Sequence, residues 1–125
     1  MKTIRYHGER PRDERGQSTG CRVYAETDEG AGRRVRLRHR TGPRSHSPTG
    51  FEWGYGGSGP AELARAIVKD ACGIDEPIPS IYQKVKWKYI TPIVGDTFTL
   101  DADEVRAFVA REMPDAIRLG IVEGV

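Results

Sequence analysis

The stretch SGPAELARAIVKDACG, at residues 58–73, carries the clearest helix signal in the chain. Ser58 or Gly59 is a suitable N-cap, and Pro60 falls in the first turn, where its missing N–H costs little. Gly73 is a typical stop, and apolar residues recur at helical spacing, at Leu63, Ala64, Ile67, Val68 and Ala71. Such a stripe needs a partner layer, which the rest of the chain must supply.

Residues upstream of this helix alternate as β-strands do. In CRVYAETD, Cys21, Val23 and Ala25 share one face, and the EGAG turn then leads into RRVRLRHR. There Val35 and Leu37 point one way, and the other face carries Arg34, Arg36, Arg38 and Arg40. With TIRYHGER at the start, these patterns predict strands near 3–7, 21–27 and 33–39.

The aromatic run FEWGY predicts one more strand, near 51–55. Phe51, Trp53 and Tyr55 lie at period two and share a face, and glycines end the segment. Aromatic residues on one strand face are usually buried, so we expect Trp53 under the helix that follows.

The C-terminal part of the chain is mainly helical by pattern. IYQKVKWKYI favours a short helix, although a strand is nearly as plausible, and DTFTL is a short strand or an extended lead-in. DADEVRAFVAREMP predicts a helix near 101–113, with Asp101 and Glu104 as a capping box. The sequence thus predicts a single α+β domain over 1–125, a small antiparallel sheet of about four strands with two or three helices packed on one face.

Composition restricts the class of protein. The chain has 125 residues with 30% charged side chains, and no apolar run approaches the roughly 18 residues of a membrane span. The first residues lack the apolar core of a secretory signal, so we expect a cytoplasmic protein. Two cysteines and three separated histidines match no metal-ligand spacing, so we expect no metal and no cofactor, and we assign no catalytic residue.

Charge is distributed unevenly along the chain. Residues 1–44 hold twelve Lys or Arg against six Asp or Glu, while residues 60–125 hold eight against eleven. Such asymmetry often accompanies an anionic partner, although two halves that attract each other would give the same distribution.

The glycines before the helix suggest an anion site. A strand that runs through Gly54, Gly56, Gly57 and Gly59 into a helix N-terminus leaves backbone N–H groups unpaired, and the helix dipole favours a phosphate there. The spacing fits neither a Walker A loop nor the dinucleotide fingerprint. The alternative is structural, because glycines in a strand also permit a bulge and a tight turn.

The block HSPTGFEWGYGGSGPAELARAI, at residues 46–67, resembles the signature of a family of small bacterial and phage proteins catalogued only as a domain of unknown function. A leading Tyr-x-Gly-x-Arg element is matched by Tyr6, Gly8 and Arg10. The resemblance implies a phage or mobile-element setting and no catalytic assignment. The resemblance extends over the whole block, which is more than a tight turn alone would require. We therefore predict a ligand site formed by Arg44, His46, Tyr55, Gly56, Gly57, Ser58 and Gly59.

The strand arginines allow two interpretations. Side chains on one strand face repeat at about 6.6 Å, so Arg34, Arg36, Arg38 and Arg40 match successive phosphates of a nucleic acid, or an acidic protein surface. Alternatively they pair with Glu26, Asp28 and Tyr24 across the hairpin and form an ordinary solvated face.

The functional hypothesis is a non-enzymatic binding protein of phage or mobile-element type that counteracts host defence. It would bind a nucleotide or another phosphate ligand at the glycine-rich loop, where Tyr55 would stack on a base. The alternatives are a stoichiometric inhibitor that docks on a host defence protein, similar to an anti-CRISPR protein, and a nucleic-acid-binding module that uses the arginine face.

Overall fold

A computed structural model describes residues 2–30, 32–39 and 50–114 of the chain. Within these ranges the strands are β1 (Thr3–Glu9), β2 (Arg22–Thr27), β3 (Arg34–Arg36) and β4 (Thr97–Asp101). The helices are α1 (Ser58–Cys72), α2 (Pro79–Val85) and α3 (Ala102–Glu112), and α2 continues into a π-helical turn, Lys86–Ile90. The predicted α+β class is confirmed.

The four strands form one antiparallel sheet in the order β3-β2-β1-β4. In the predicted hairpin, Tyr24 lies opposite Arg36 and Glu26 lies opposite Arg34, as the alternation requires. β3 is an edge strand of three residues, shorter than the predicted 33–39.

Helices cover one face of the sheet and leave the other to solvent. Tyr6, Val23 and Ala25 on the covered face belong to one core with Leu63 and Ile67 of α1. The opposite face is polar, with cross-strand ion pairs such as Arg22 with Glu9. One wet face is usual in antiparallel sheets of this kind.

The prediction of a strand at 51–55 is wrong. Residues 51–53 form no ladder, and the Gly54 N–H donates to the carbonyl of Ile90 at the end of the π-helical turn. The alternation still correctly marked the buried side chains, because Phe51 and Trp53 are both in the core. The fourth strand is instead β4, from the DTFTL stretch.

Local signals located the helix ends to within two residues. α1 begins at Ser58 with Gly57 as its N-cap, not Ser58 or Gly59, and it ends at Gly73 in the left-handed conformation. Asp101 caps α3 by accepting a hydrogen bond from the N–H of Asp103. Among the described residues, no helix has the length and apolar character to cross a membrane.

Candidate functional site

The predicted glycine-rich site lies on the surface where the chain enters α1. Gly57 is the N-cap, with no side-chain cap, and its carbonyl accepts the N–H of Ala61. Ser58 and Gly59 therefore stand in the first turn, where backbone N–H groups lack partners within the helix. Tyr55 is half exposed beside them. Of the predicted ligand set, Tyr55 to Gly59 are contiguous here, while Arg44 and His46 lie outside the described residues.

Each of these glycines faces a neighbouring side chain at short range. A Cβ on Gly56 would lie 2.5 Å from the Trp87 ring, and one on Gly57 would lie 2.5 Å from the Tyr55 ring. A Cβ on Gly59 would lie 2.7 Å from the Cβ of Glu52. Close packing is thus a sufficient reason for glycine at all three positions, which is the structural alternative weighed from the sequence.

A charged cluster underlies this turn and is centred on Arg10. Its guanidinium donates to Glu52 Oε1 at 2.6 Å and to Asp96 Oδ1 at 2.9 Å, and it also reaches the carbonyls of Trp53 and Gly95. The same guanidinium lies 4.6 Å from the centre of the Trp53 ring, a cation–π contact. Arg10 therefore holds three chain segments together.

This cluster also determines the chemistry of Cys21. Burial, together with the nearby negative charge of Glu52, raises the pKa of the Cys21 thiol to about 11. A thiol with that pKa stays protonated at neutral pH and is a poor nucleophile. The second cysteine, Cys72, is fully buried in the core.

The structure gives the Tyr-x-Gly-x-Arg element a structural role. The Tyr6 hydroxyl donates to Asp70 Oδ2 at 2.6 Å, which ties β1 to α1. Gly8 lies against the Phe98 ring, because a Cβ there would be only 2.0 Å from a ring carbon. Arg10 adds the contacts described above, so the spacing of two places all three residues on the helix-covered side of β1.

The arginines of β3 lie at the sheet edge, and the nearest acidic residue on the solvent face is Glu26. Its carboxylate meets His7 Nε2 at 2.7 Å and Arg5 Nε at 3.7 Å, and Arg34 lies opposite it in the ladder. The hydrogen bond from His7 and the nearby positive charges of Arg5 and Arg34 lower the pKa of Glu26. The solvated-face interpretation therefore fits Arg34. Arg40 lies outside the described residues.

A groove opens between the edge strand and α1, which we call the β3–α1 groove. It encloses about 640 Å³, within the roughly 300–1,000 Å³ range of small-molecule sites. Its apolar lining is Ala25, Val35, Leu37, Ala66 and Ile74. Val35 faces the helix side, beside Ala25, and is still 43% exposed because no described helix covers this edge.

Basic side chains outnumber acidic ones along the groove. Arg36, Arg38, Arg65 and Lys69 line it, with His39, against Asp70 and Asp75. Lys69 is engaged at Asp75, where its Nζ donates to the backbone carbonyl at 2.7 Å. Arg65 is 5% exposed and its guanidinium pairs with the fully buried Glu62 at 3.2 Å. Within the described ranges, Arg36 and Arg38 are thus the lining cations for which no ion pair is formed.

The groove also contains a buried hydroxyl with no partner. Thr27 is 4% exposed, and within the described ranges its Oγ1 is the buried side-chain polar atom that makes no hydrogen bond. Beside it, Thr3 donates its hydroxyl to Asp70 Oδ2 at 2.8 Å. An unpaired hydroxyl in the interior costs about 1–3 kcal/mol, and a bound water, an ion or a ligand group is a common partner for such an atom.

Sequence reasoning found part of this groove and missed the rest. Arg36 and Arg38 were predicted as contact residues, but Thr27, Arg65 and Asp70 were not. Glu62 and Arg65 are three residues apart on one helix face, a spacing that predicts an ion pair. The spacing does not predict that both side chains are buried. Across the described parts of the chain, no three His, Cys, Asp or Glu side chains cluster to hold a metal ion.

Comparison with known proteins identifies the family. The model of a family of unknown function, DUF6166, matches residues 6–111, and the chain therefore belongs to that family. The match begins within β1 and ends within α3, so it includes β2, β3, β4, α1 and α2 in full and most of β1 and α3. None of the curated proteins and none of the solved structures matches the chain.

Proposed function

Starting from a family whose description names no function, we propose that this protein is a binding protein for an anionic ligand, and that the β3–α1 groove is its binding site. The observation that carries the proposal is an apolar cavity of small-molecule size bordered by an edge strand whose Arg36 and Arg38 make no ion pair with the described residues. Guanidinium groups are the preferred side-chain partners of phosphate and carboxylate.

The proposed ligand is of the class expected from the sequence, but the proposed binding site is the β3–α1 groove and not the glycine-rich turn. At the glycine-rich turn, Glu52 packs its Cβ against Gly59, and its carboxylate, which accepts from Arg10 and from the Trp53 N–H, adds negative charge close to the turn. Its partner Arg10 is already bound to two carboxylates. Arg36 and Arg38 beside the groove are not engaged in this way by any described residue, which is why we favour the groove over the turn.

The setting that we propose is a phage or mobile element, in which the protein acts in the cytoplasm against a host defence system and has no catalytic activity. The support is the resemblance of the 46–67 block that the sequence analysis describes. A ligand-binding protein fits this setting if it sequesters a signalling nucleotide.

A second candidate, docking on a host protein, is favoured by one observation. Tyr55 and Trp87 are 50% and 58% exposed and flank Gly56 and Gly57 on one surface. Exposed aromatic side chains are enriched among residues that dominate protein interfaces. Retention of a host protein by the parent but not by a Trp87→Ala variant would favour this candidate.

Calorimetry tests the anion proposal with defined probes. The probes are inorganic phosphate, mono-, di- and cyclic nucleotides, ADP-ribose and a short single-stranded oligonucleotide. We expect at least one to bind, and we expect the double variant Arg36→Gln, Arg38→Gln to lose at least tenfold in affinity, because each charge-assisted bond contributes about 1.5–3 kcal/mol.

The matched control is Arg22→Gln, which removes a half-exposed arginine of the same sheet that pairs with Glu9 on the solvent face. It should bind as the parent does. Absence of binding by every probe, or equal losses in the control and the double variant, would contradict the proposal.

A further inference from the structure

We infer that the free edge of β3 binds an extended acidic segment of a partner protein, which adds to the sheet as a further strand beside β3. The inference goes beyond the proposed function, because it concerns the backbone at the edge of the sheet and not the cavity. It follows from the register of β3, from the side chains on its two faces and from the difference between the two edges of the sheet.

The backbone of β3 has hydrogen-bonding groups that point away from the sheet. β3 stands at the end of the strand order and pairs with β2. The Leu37 N–H donates to the Val23 carbonyl, and the register places Val35 in the next hydrogen-bonded pair. In an antiparallel ladder, the residues between such pairs direct their N–H and C=O groups to the opposite side. Arg34 and Arg36 therefore present these groups at the free edge, where no described strand takes them up.

The two faces of β3 differ in character along this edge. Arg34 lies across from Glu26, so Arg34 and Arg36 point to the solvent face. Val35 lies across from the buried Ala25 and points to the helix side. An added strand continues both faces of the sheet, because residues opposite each other share a face. Its residues beside the arginines would be acidic, and its residues beside Val35 would be apolar.

The other edge of the sheet, β4, offers an added strand much less. On its helix side Leu100 is 9% exposed, and the Phe98 ring packs at 4.9 Å from the Trp53 ring. Val35, in contrast, is 43% exposed. A strand added at β3 would bury apolar surface in addition to pairing its backbone, whereas a strand added at β4 would gain the backbone pairing alone. Binding by strand addition therefore favours β3.

The arginines determine which strand can be added. A short edge strand with charged side chains resists pairing with a copy of itself, because arginines would then face arginines. An acidic strand meets attraction at the same positions. Arg36 lies across from Tyr24, so its position on β2 supplies no carboxylate. Strand addition is a common mode of peptide recognition, in which backbone bonds provide affinity and alternate side chains provide specificity.

The test uses a labelled synthetic peptide of roughly six residues, the usual length of a strand, with alternating glutamate and valine. A second peptide has lysine in place of glutamate. Fluorescence anisotropy measures the affinity of each. We expect the glutamate peptide to bind and the lysine peptide not to bind, and we expect added salt to weaken binding. Amide hydrogen exchange at Arg34 and Arg36 should slow when the glutamate peptide is bound, because their N–H groups become hydrogen-bonded.

A proline variant separates backbone pairing from charge. Arg36→Pro removes an outward N–H, which an edge strand tolerates, while Arg36→Gln removes the charge alone. We expect the proline variant to bind the glutamate peptide at least roughly tenfold more weakly, and the glutamine variant roughly two- to fivefold more weakly. The matched control is Thr99→Pro, since the register of β4 also directs the Thr99 N–H away from the sheet. It should bind as the parent does.

Two modified peptides give the same test without changing the protein. One is N-methylated at its glutamates and the other at its valines, and only one of these sets can face β3. We expect one modified peptide to lose binding and the other to keep it.

The inference is overturned if the glutamate peptide does not bind, if it binds no better than the lysine peptide, or if Arg36→Pro and Thr99→Pro bind it equally. Concentration-dependent dimerisation of the parent that Arg36→Pro abolishes would also overturn it, because a second copy would then occupy the edge. Binding of the phosphate probes is a separate measurement, so the proposed function can stand where this inference fails.

Discussion

At the residue scale, Arg10 explains more of the fold than any apolar side chain near it. Its side chain is 11% exposed, and it joins the end of β1 to Glu52, to the Trp53 carbonyl and to the turn before β4. Sequence reasoning placed Arg10 in the leading Tyr-x-Gly-x-Arg element but assigned it no contact. Its partners lie 42 and 86 residues away in the chain, and no local pattern carries that information.

We therefore expect Arg10→Ala to destabilise the protein by roughly 3 kcal/mol, because it leaves Glu52 without its partner in a partly buried site. Urea unfolding measures the difference. The matched control is Arg12→Ala, which removes a more exposed arginine that also pairs with Asp96. Similar losses in the two variants would show that the cluster does not depend on Arg10.

Thr27 is a residue of the candidate site that the sequence could not identify. By alternation it is one more inward position after Val23 and Ala25, and a threonine there suggests only a strand end. Its importance comes from the burial of its hydroxyl and from the absence of a partner for it among the described residues. The candidate site thus became visible only when burial was known.

At the element scale, α1 and α3 were predictable because their signals are local. Capping residues, a Gly73 stop and a 3.6-residue apolar period all lie within the helices themselves. Residues 51–55 were wrongly predicted as a strand. The alternation of apolar side chains shows which residues are buried, but it does not show which element they pack against. Here the cover is the π-helical turn that accepts the Gly54 N–H, together with Phe98 against Trp53.

The register of α1 gives an element-scale prediction. Ile67 is fully buried, so Ile67→Asp should place an unpaired charge in the core and cost about 4 kcal/mol or more. Far-UV circular dichroism measures this destabilisation, as a loss of the helical signal and of the cooperative melting transition. Ile78→Asp, at a 52% exposed position just before α2, should melt as the parent does. A native melt for Ile67→Asp would mean that the register of α1 is wrong.

At the scale of the whole molecule, the uneven charge distribution is explained in part by ion pairs within the molecule. Basic residues of the N-terminal part pair with acidic residues of the C-terminal part, as in Lys2 with Asp103 and Arg12 with Asp96. This is the mutual attraction of the halves considered from the sequence. Arg36 and Arg38, on the edge strand that borders the β3–α1 groove, contribute to the rest of the basic excess.

Attraction between the halves predicts a specific acid sensitivity. Hydrogen bonds from Arg12 and Arg10 lower the pKa of Asp96 to about 2, below its unfolded value of about 3.9. A depressed pKa stabilises the fold fully above the unfolded pKa, and this stabilisation is lost as pH falls from about 4 through 2.

The measurement is the urea midpoint of the parent and of Asp96→Asn between pH 6 and pH 2. We expect the parent to be more stable above pH 5 and the difference to shrink as the pH falls towards 2. Glu14→Gln, on the exposed loop after β1, serves as the control and should follow the parent at every pH. A difference between parent and Asp96→Asn that does not change with pH would contradict the pairing.

The central claim is that the β3–α1 groove, and not the glycine-rich turn, binds the ligand. The most direct measurement is a titration of the ¹⁵N-labelled protein with the mononucleotide panel, in which the amide chemical shifts are recorded at each ligand concentration. The predicted result is a saturable change at Thr27, Leu37 and Ala66, with little change at Gly57 and Ser58. Saturable changes confined to residues 55–59, or no saturable change at any described residue, would contradict it.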